Sequence, residues 1–421
     1  MITWSPESPA ELTGAWARSG AMWLTGHRTG APLVPVGEAA SLAAWLAAHI
    51  EQAGAEAGRP VRVDGGRLLA ERAALTGGTR QGRVSVGGGC QLLPTADGWA
   101  AVSCVRPDDP ELWSALIEHE LDERLWQRLA TWLAGHTKAE LEERVTLLGL
   151  AAGTIQGLPE AGTARVPRPG RPRSMRGMMV VDFSALWAGP LCAHLLGLAG
   201  AEVIKVEVPS RPDGARFGNQ TFYDLLHAGH RAVALDPADR AGREALHALV
   251  RTADVVIEAS RPRALARFGL DALEEVERGC TWVSITAYGR SVDRVGFGDD
   301  VAVAGGLLAQ DDQGAPTFCG DAIADPLTGL TAAALTTSEP EGKGGVLWEV
   351  AMADVVAATV RGHAAPMAHV VPSGYGNGWE VDTGRELVPV AAPVTRTPTG
   401  TAPALGADTG LVLRRLGIAA P

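Results

Sequence analysis

In the stretch Gly320–Leu335, GDAIADPLTGLTAAAL, Asp325 stands among small and apolar residues, with no basic residue inside the stretch to pair with it. A carboxylate in that setting suits two roles. As a helix N-cap it would satisfy free backbone N–H groups, with Pro326 fitted to the first helical position. As a nucleophile at a helix N-terminus it would be kept ionised by the helix dipole, and its Gly and Ala neighbours would admit a bulky substrate. Gly87-Gly88-Gly89 offers either a turn or a flexible lid over a reactive intermediate. Arg261, Arg263 and Arg267 follow an apolar strand. They read either as a solvated loop and helix start or as a set of forks for phosphate. Lysine occurs only at 138, 205 and 343, so any phosphate grip must come from Arg, His or backbone N–H. His227 and His230, in a loop before a strand, are placed to meet a phosphate, whereas His194 reads as a helix-face residue. The histidines show no metal spacing, and the five cysteines form no C-x-x-C pair, so neither zinc nor a redox motif is supported. No Ser-His-Asp set can be assembled.

The elements that must position these residues alternate along the second part of the chain. MMVVDFSAL, AEVIKVEV, RAVALD, ADVVIEAS and CTWVSITAYG read as five strands. Between them, AGPLCAHLLGLAGA, PADRAGREALHALVRT (with Pro237 in its first turn) and ALARFGLDALEEVERG read as helices. Further helices are expected over 324–337 and 346–363. Strands separated by helices of this length imply crossover units and a parallel sheet, buried on both faces. The first part is less regular. It offers helices at SLAAWLAAHIEQAG, ELWSALIEHELDERLWQRLATWLAGH (with one break) and TKAELEERVTLLGL, the last capped by Thr137. VSVGGGCQLLPTADGWAAVSCV reads as a hairpin. Residues 155–177, rich in Pro, Gly and Arg, are the expected linker. This divides the chain into 1–154, a smaller α+β unit, and 178–421, an α/β unit on a Rossmann-like parallel sheet. An internal repeat relates 19–48 to 305–334 through a Gly-Ala-Pro core and an Ala/Leu helix. Its first copy carries Ser41 or Leu42 where the second carries Asp325, so the acid is not needed to build the helix.

The 421 residues carry 37 basic and 48 acidic side chains, a formal net charge of −11. That balance argues against nucleic-acid binding, which needs a basic face. No membrane span is expected, because the longest uncharged run, FSALWAGPLCAHLLGLAGA, reads as strand, turn and helix. The N-terminus, MITWSPESPAEL, lacks the pattern of a signal peptide. Scattered, odd-numbered cysteines fit a reducing cytoplasm. The turn Ala188–Ala193 carries one glycine, so the G-x-G-x-x-G fingerprint of dinucleotide binding is missing even though Glu207 ends the second strand.

DFSALWAGPLCAHLLGLAGAEVIKVEVP resembles the opening signature of the class III CoA-transferases, the CaiB/BaiF family. HAGHRAVALD, ADVVIEASRPRALARFGL, WVSITAYG and GDAIADPLTGL resemble its later motifs in order, over about 178–335. The first part resembles the family's small domain, normally found after the catalytic aspartate, and the tail from Val388 resembles its C-terminal return to the large domain. The resemblance implies the family fold and CoA transfer between an acyl-CoA thioester and a free carboxylic acid, through aspartyl anhydride and thioester intermediates. It implies Asp325 as nucleophile, and CoA contacts at Trp187, Ala188, Val208, His230, Ala259, Ser260, Arg261 and Arg267. Gly87, Gly88 and Gly89 would form the loop over the site. CoA enters as substrate, with no tightly bound cofactor, and members form interlocked homodimers.

Several positions depart from the family pattern. Trp187 stands where formyl-CoA transferases carry Gln, and Val208 where Arg often grips a phosphate. His227 and His230 replace Asn and Lys, and Ala259 and Ser260 replace Asn and Phe. The related racemases carry His in a G-H-D segment, where this chain has Asp299 in GFGDD. That departure argues against a racemase, and a 2-methylacyl-CoA racemase-like isomerase stands only as the runner-up enzyme class; the altered order and lost contacts motivate a third reading, a non-catalytic acyl-CoA-binding relative.

Overall fold

Chain entry into the structure is helical. The computed structural model describes residues 8–156, 166–259 and 263–420, apart from 59, 121, 341, 343, 365, 367 and 375–377. Helices α1 (Pro9–Ser19), α2 (Ala39–Glu56), α3 (Gly65–Leu68) and α4 (Glu71–Thr76) come first. Strands β1 (Cys90–Thr95) and β2 (Gly98–Ser103) form the expected hairpin. After α5 (Asp109–Leu116), α6 (Leu125–Ala134) and α7 (Lys138–Leu148), β3 (Ala151–Thr154) pairs antiparallel with β2. Thr137 caps α7 in a reciprocal box with Glu140. The α5–α7 helices cover this sheet with a core of their own, including Trp113, Leu129, Leu133 and Leu141.

The second part alternates as β4 (Met179–Asp182), α8 (Ala188–Leu198), β5 (Glu202–Glu207), α9 (Gln220–His227), β6 (Arg231–Ala234), α10 (Arg240–Thr252), β7 (Val255–Glu258), α11 (Arg263–Ala266), α12 (Ala272–Glu277) and β8 (Thr281–Thr286). There follow α13 (Gly298–Ala304), a small hairpin of β9 (Leu308–Gln310) and β10 (Pro316–Phe318), α14 (Ala324–Thr336), β11 (Val346–Ala351) and α15 (Met352–Val360). A three-stranded antiparallel sheet, β12 (His369–Pro372), β13 (Trp379–Asp382) and β14 (Leu387–Pro389), precedes the last helix, α16 (Thr409–Arg415). The large sheet is six-stranded and parallel, in the order β11-β8-β7-β4-β5-β6. This is the doubly wound arrangement, and the strand order reverses beside β4. Ligands in such sheets bind outside the carboxyl ends of the strands at that reversal.

Three local readings are corrected. The helix expected over 346–363 is a strand followed by a helix. VLWEVA pairs with β8 at the sheet edge, and the helical period begins only at Met352. The helix expected to begin at Pro237 begins at Arg240, where the Asp239 side chain accepts from the Gly242 N–H at 3.0 Å. ALARFGLDALEEVERG forms two short helices rather than one, the second capped by Asp271.

The unit expected over 1–154 also divides. Trp16, Leu46 and Ile50 from α1 and α2 share one core with Leu191, Leu327 and Leu330 of α8 and α14. Only the β1–β3 sheet and its helices form a separate body. That body is pinned to α13: the Ser103 hydroxyl lies 2.6 Å from the fully buried Asp300, and the backbone of Gly153 presses on the Asp300 carbonyl, leaving no room for a Cβ.

Candidate functional site

Helix α14 is buried on every face, as its Ala- and Leu-rich sequence demands. Its tight seat needs Gly329, where a Cβ would lie 2.6 Å from the Ala188 carbonyl at the start of α8. Of its 13 residues, Asp325 alone keeps accessible surface. Asp325 is not the cap: Ile323 takes that position, and Asp325 sits inside the first turn. Its carboxylate instead takes a backbone N–H from Gly298, at the start of α13. Burial pushes its pKa up to about 7; Arg72 opposes this, while Asp299 and Asp321 add to it.

The arginine that the local sequence lacked comes from α4. Arg72 grips both oxygens of Asp321, with Nε donating at 2.9 Å, and lies over the Trp187 ring at 4.9 Å. Burial works against its charge, but Asp321, Asp299 and Asp325 more than restore it. Asp321 is 1% exposed and engaged with Arg72 on both oxygens. Helix α4 is itself held by the C-terminal return: buried Glu71 accepts from Arg396 Nε at 2.7 Å and Nη2 at 2.8 Å. Asp299 joins the group, accepting from the Ala322 N–H at 2.9 Å and from the Ser85 side chain. Burial, then Asp321, raises its pKa to about 6. Two non-glycine residues at positive φ flank the mouth, Ala322 at 43° and Leu186 at 69°. Such strain costs on the order of 1–3 kcal/mol per residue and gathers where surrounding structure imposes a functional shape.

The glycine loop is brought to the same place. A methyl on Gly87 would lie 3.7 Å from Arg72 Nη2, and Gly88 turns at a φ of 77°. Ser85 closes the loop by pairing with Cys90: its N–H donates to the Cys90 carbonyl, and its hydroxyl accepts the Cys90 N–H. Trp187 and Ala188, both buried, open α8 beside it. Ala259 lies across the strand reversal, 3.4 Å from where a Cβ on Gly189 would be. Val208 follows β5, half-buried, and Arg267 is exposed beyond α11. Ser260 and Arg261, like residues 157–165 of the expected linker, lie outside the described residues, and the side chain of Arg263 is not described.

His230 is corrected as a phosphate contact. It is buried, its ring 5.5 Å from His227 and 6.3 Å from His194. Burial, with Lys205 nearby, pushes its pKa down to about 3, so it carries no positive charge for an anion. Burial likewise holds His194 and His227 well below the usual imidazole range. All three gain protons on unfolding below pH 6.5 and so favour the unfolded chain as pH falls. The buried carboxyls with raised pKa act in the opposite sense, so the readout is a difference. A His194→Leu/His230→Leu variant is expected to gain melting temperature relative to wild type as pH drops from 7 to 5. A constant difference across that series would refute the assignment.

Gly298 is a second place where a methyl decides the matter. A Cβ there would lie 2.2 Å from Asp325 Oδ2 and 2.4 Å from the Ala322 carbonyl. Gly298→Ala is expected to displace the Asp325 carboxylate and remove most activity, read as kcat on a folded protein verified by circular dichroism.

Arg72, Ser85 and Asp321 were not singled out from the sequence. Arg72 and Asp321 stand 249 residues apart, and no spacing rule joins them. The five cysteines are free. Among the described residues no group of three His, Cys, Asp or Glu could hold a metal ion, and no helix is long and apolar enough to cross a membrane.

Against known proteins, the family model described as CoA-transferase family III matches residues 175–384. A formyl-CoA:oxalate CoA-transferase of Rhodopseudomonas palustris (strain TIE-1) is 32% identical over 171 residues, 38% of this chain and 40% of that protein. A succinate–glutarate CoA-transferase of Agrobacterium fabrum is 32% identical over 182 residues, 38% of this chain and 46% of that one. The chain thus spans less than half the length of these relatives. A CaiB/BaiF family protein from Brucella suis superposes with a TM-score of 0.40 at 28% identity, over 45% of this chain and 56% of the other.

Proposed function

The chain belongs to CoA-transferase family III, and from that premise we propose that it moves CoA between an acyl-CoA thioester and a free carboxylic acid, with Asp325 as the nucleophile. The observation that carries the reading is the half-buried acid of an otherwise sealed helix, facing an arginine that lies over Trp187 at the start of α8, after β4, beside which the strand order reverses. Attack by the Asp325 carboxylate on the thioester would form a mixed anhydride and release the CoA thiolate. Return of the thiolate onto the aspartyl carbonyl would leave an aspartyl thioester, from which the acceptor acid takes the CoA. Such anhydrides hydrolyse readily, so the apolar walls and the glycine loop serve to keep water out. Arg72 and Asp321 form a neutral, fixed pair that holds the local field without competing for the nucleophile.

Both halves of this cluster, Arg72 and Ser85 from the first part and Asp299, Asp321 and Asp325 from the second, come from one chain. A homodimer, as the family resemblance implies, would carry two such clusters. A cytoplasmic location belongs to the same proposal, since thioester substrates and unpaired cysteines both suit a reducing compartment.

A second reading rests on a separate observation. Val208 and the neutral His230 offer no cation where relatives grip CoA, which favours an acyl-CoA-binding protein without turnover. One experiment separates the two. The full chain is incubated with a panel of acyl-CoAs, trapped with hydroxylamine and read by peptide mass spectrometry beside an Asp325→Ala control. A modification on the Asp325 peptide that is lost in the control supports transfer. Binding of CoA thioesters with no adduct from any donor supports the second reading.

A further inference from the structure

Four carboxylates lie around this mouth, and three have evident roles. Asp321 is taken up by Arg72. Asp300, 0% exposed, accepts from Ser103 and from the Phe297 N–H at 3.0 Å and serves as the pin to the small body. Asp325 is the accessible acid of α14. Asp299 remains. It is half-buried, as Asp325 is, while Asp300 and Asp321 are sealed.

We propose that Asp299 is a second catalytic residue: in its protonated form it donates a hydrogen bond to the thioester carbonyl oxygen while Asp325 attacks. The proposal rests on the transferase reading of the site. Its geometry is that of two acids rising from touching backbone, since the Asp325 carboxylate lies against Gly298, the residue before Asp299. Among the described residues the cation facing them is Arg72 of α4, and Asp321 already engages it. Ser85 of the glycine loop faces Asp299 and is neutral, and Asp300 and Cys90 add no positive charge. Two like charges in a half-dry mouth with no free cation cannot both persist, so the pair retains one proton near neutral pH. The raised pKa of Asp325, to which Asp299 adds after burial, agrees with this. The proton belongs to the pair rather than to either acid. When it sits on Asp299, Asp325 is an ionised nucleophile with an acid beside it.

The step balances without any further reagent. A carboxylate oxygen of Asp325 forms the new C–O bond, and the carbonyl electron pair moves onto oxygen, where the Asp299 O–H stabilises it. The carbonyl then re-forms, the C–S bond breaks and the CoA thiolate leaves. The proton stays on Asp299 throughout, and the single negative charge passes from Asp325 to sulfur.

Asp299→Asn keeps a donor and Asp299→Ala removes it. The alanine variant is expected to lose about 100-fold in kcat, the cost of one oxyanion donor, with KM for acyl-CoA changed less than threefold. The asparagine variant should stay within about tenfold of wild type, and its rate should no longer fall at high pH, because its donor cannot ionise. An alanine variant with the wild-type rate and pH profile would overturn the proposal. A merely structural role would move melting temperature in both variants and spare the pH profile. Should wild type turn over no acyl-CoA, the transferase reading fails alone, and the shared proton is read directly. Carbon-13 NMR titration of aspartate-labelled protein should then show the Asp325 pKa falling by about one unit or more in Asp299→Asn. An unmoved Asp325 titration would overturn the pairing itself.

Discussion

Replacing Asp325 with alanine is expected to lower kcat for CoA transfer by at least about a thousandfold, the scale of losing a covalent route, while acyl-CoA still binds. Asparagine should do the same, since its amide is not a nucleophile. For the wild-type chain the ionised fraction of Asp325 grows as pH rises toward and through about 7, so kcat/KM should climb between pH 6 and pH 7. Stability should move the other way. A carboxyl whose pKa is raised by folding favours the native state at low pH and loses that contribution as pH rises through the folded value. Asp325→Asn should therefore melt above wild type at pH 8, with the difference shrinking toward pH 5. A variant that is inactive and also less stable at pH 8 would mark Asp325 as a structural acid. A variant that keeps a tenth of the wild-type rate would remove it from the nucleophile's role.

Arg72→Ala should be the most destabilising single change at the site. It leaves Asp321, 1% exposed, with no cation, and removes the neighbour that opposes the raised pKa of Asp325 and Asp299. Breaking a buried ion pair from one side costs about 3–5 kcal/mol, because the remaining charge is stranded. The loss should appear as a lower melting temperature at pH 8. It should narrow toward pH 5, where the stranded acids take up protons and become neutral. Arg72→Ala/Asp321→Asn should recover much of the loss, since removing both partners leaves no buried charge. If the double variant melts no higher than the single one, the damage lies in lost packing against Trp187 rather than in charge. Arg72→Lys should rescue poorly, because an ammonium cannot bridge both oxygens of Asp321.

Local pattern carried much of this molecule. The alternation of apolar runs with amphipathic helices from 178 to 286 specifies crossover units, since a continuous apolar strand and a helix of period 3.6 can bury their surfaces only against each other. Thr137 as a cap, the hairpin before it, and the helix that bears Asp325 were legible for the same reason: caps, turns and periods are set by residues within a few positions. Where two periods abut, as at Ala351, the sequence reads as one helix, and only pairing with β8 divides it.

The site was half legible. Asp325 stood out as an acid in an apolar stretch, and Gly87–Gly89 as either a turn or a lid over the site. Its partners did not, because charge compensation acts through space. Arg72 reaches Asp321 across 249 residues, with α4 pinned by Glu71 to the C-terminal return. Burial decided the rest. The same imidazole reads as a phosphate ligand in a loop and becomes a neutral core residue at His230, once Lys205 and the dry interior oppose its charge. Ile323 takes the cap position expected for Asp325, which frees that carboxylate to face Gly298. Composition and period determined which elements form. The tertiary structure decided which charges meet, since ionisation depends on what lies within a few ångströms and on how much water remains there.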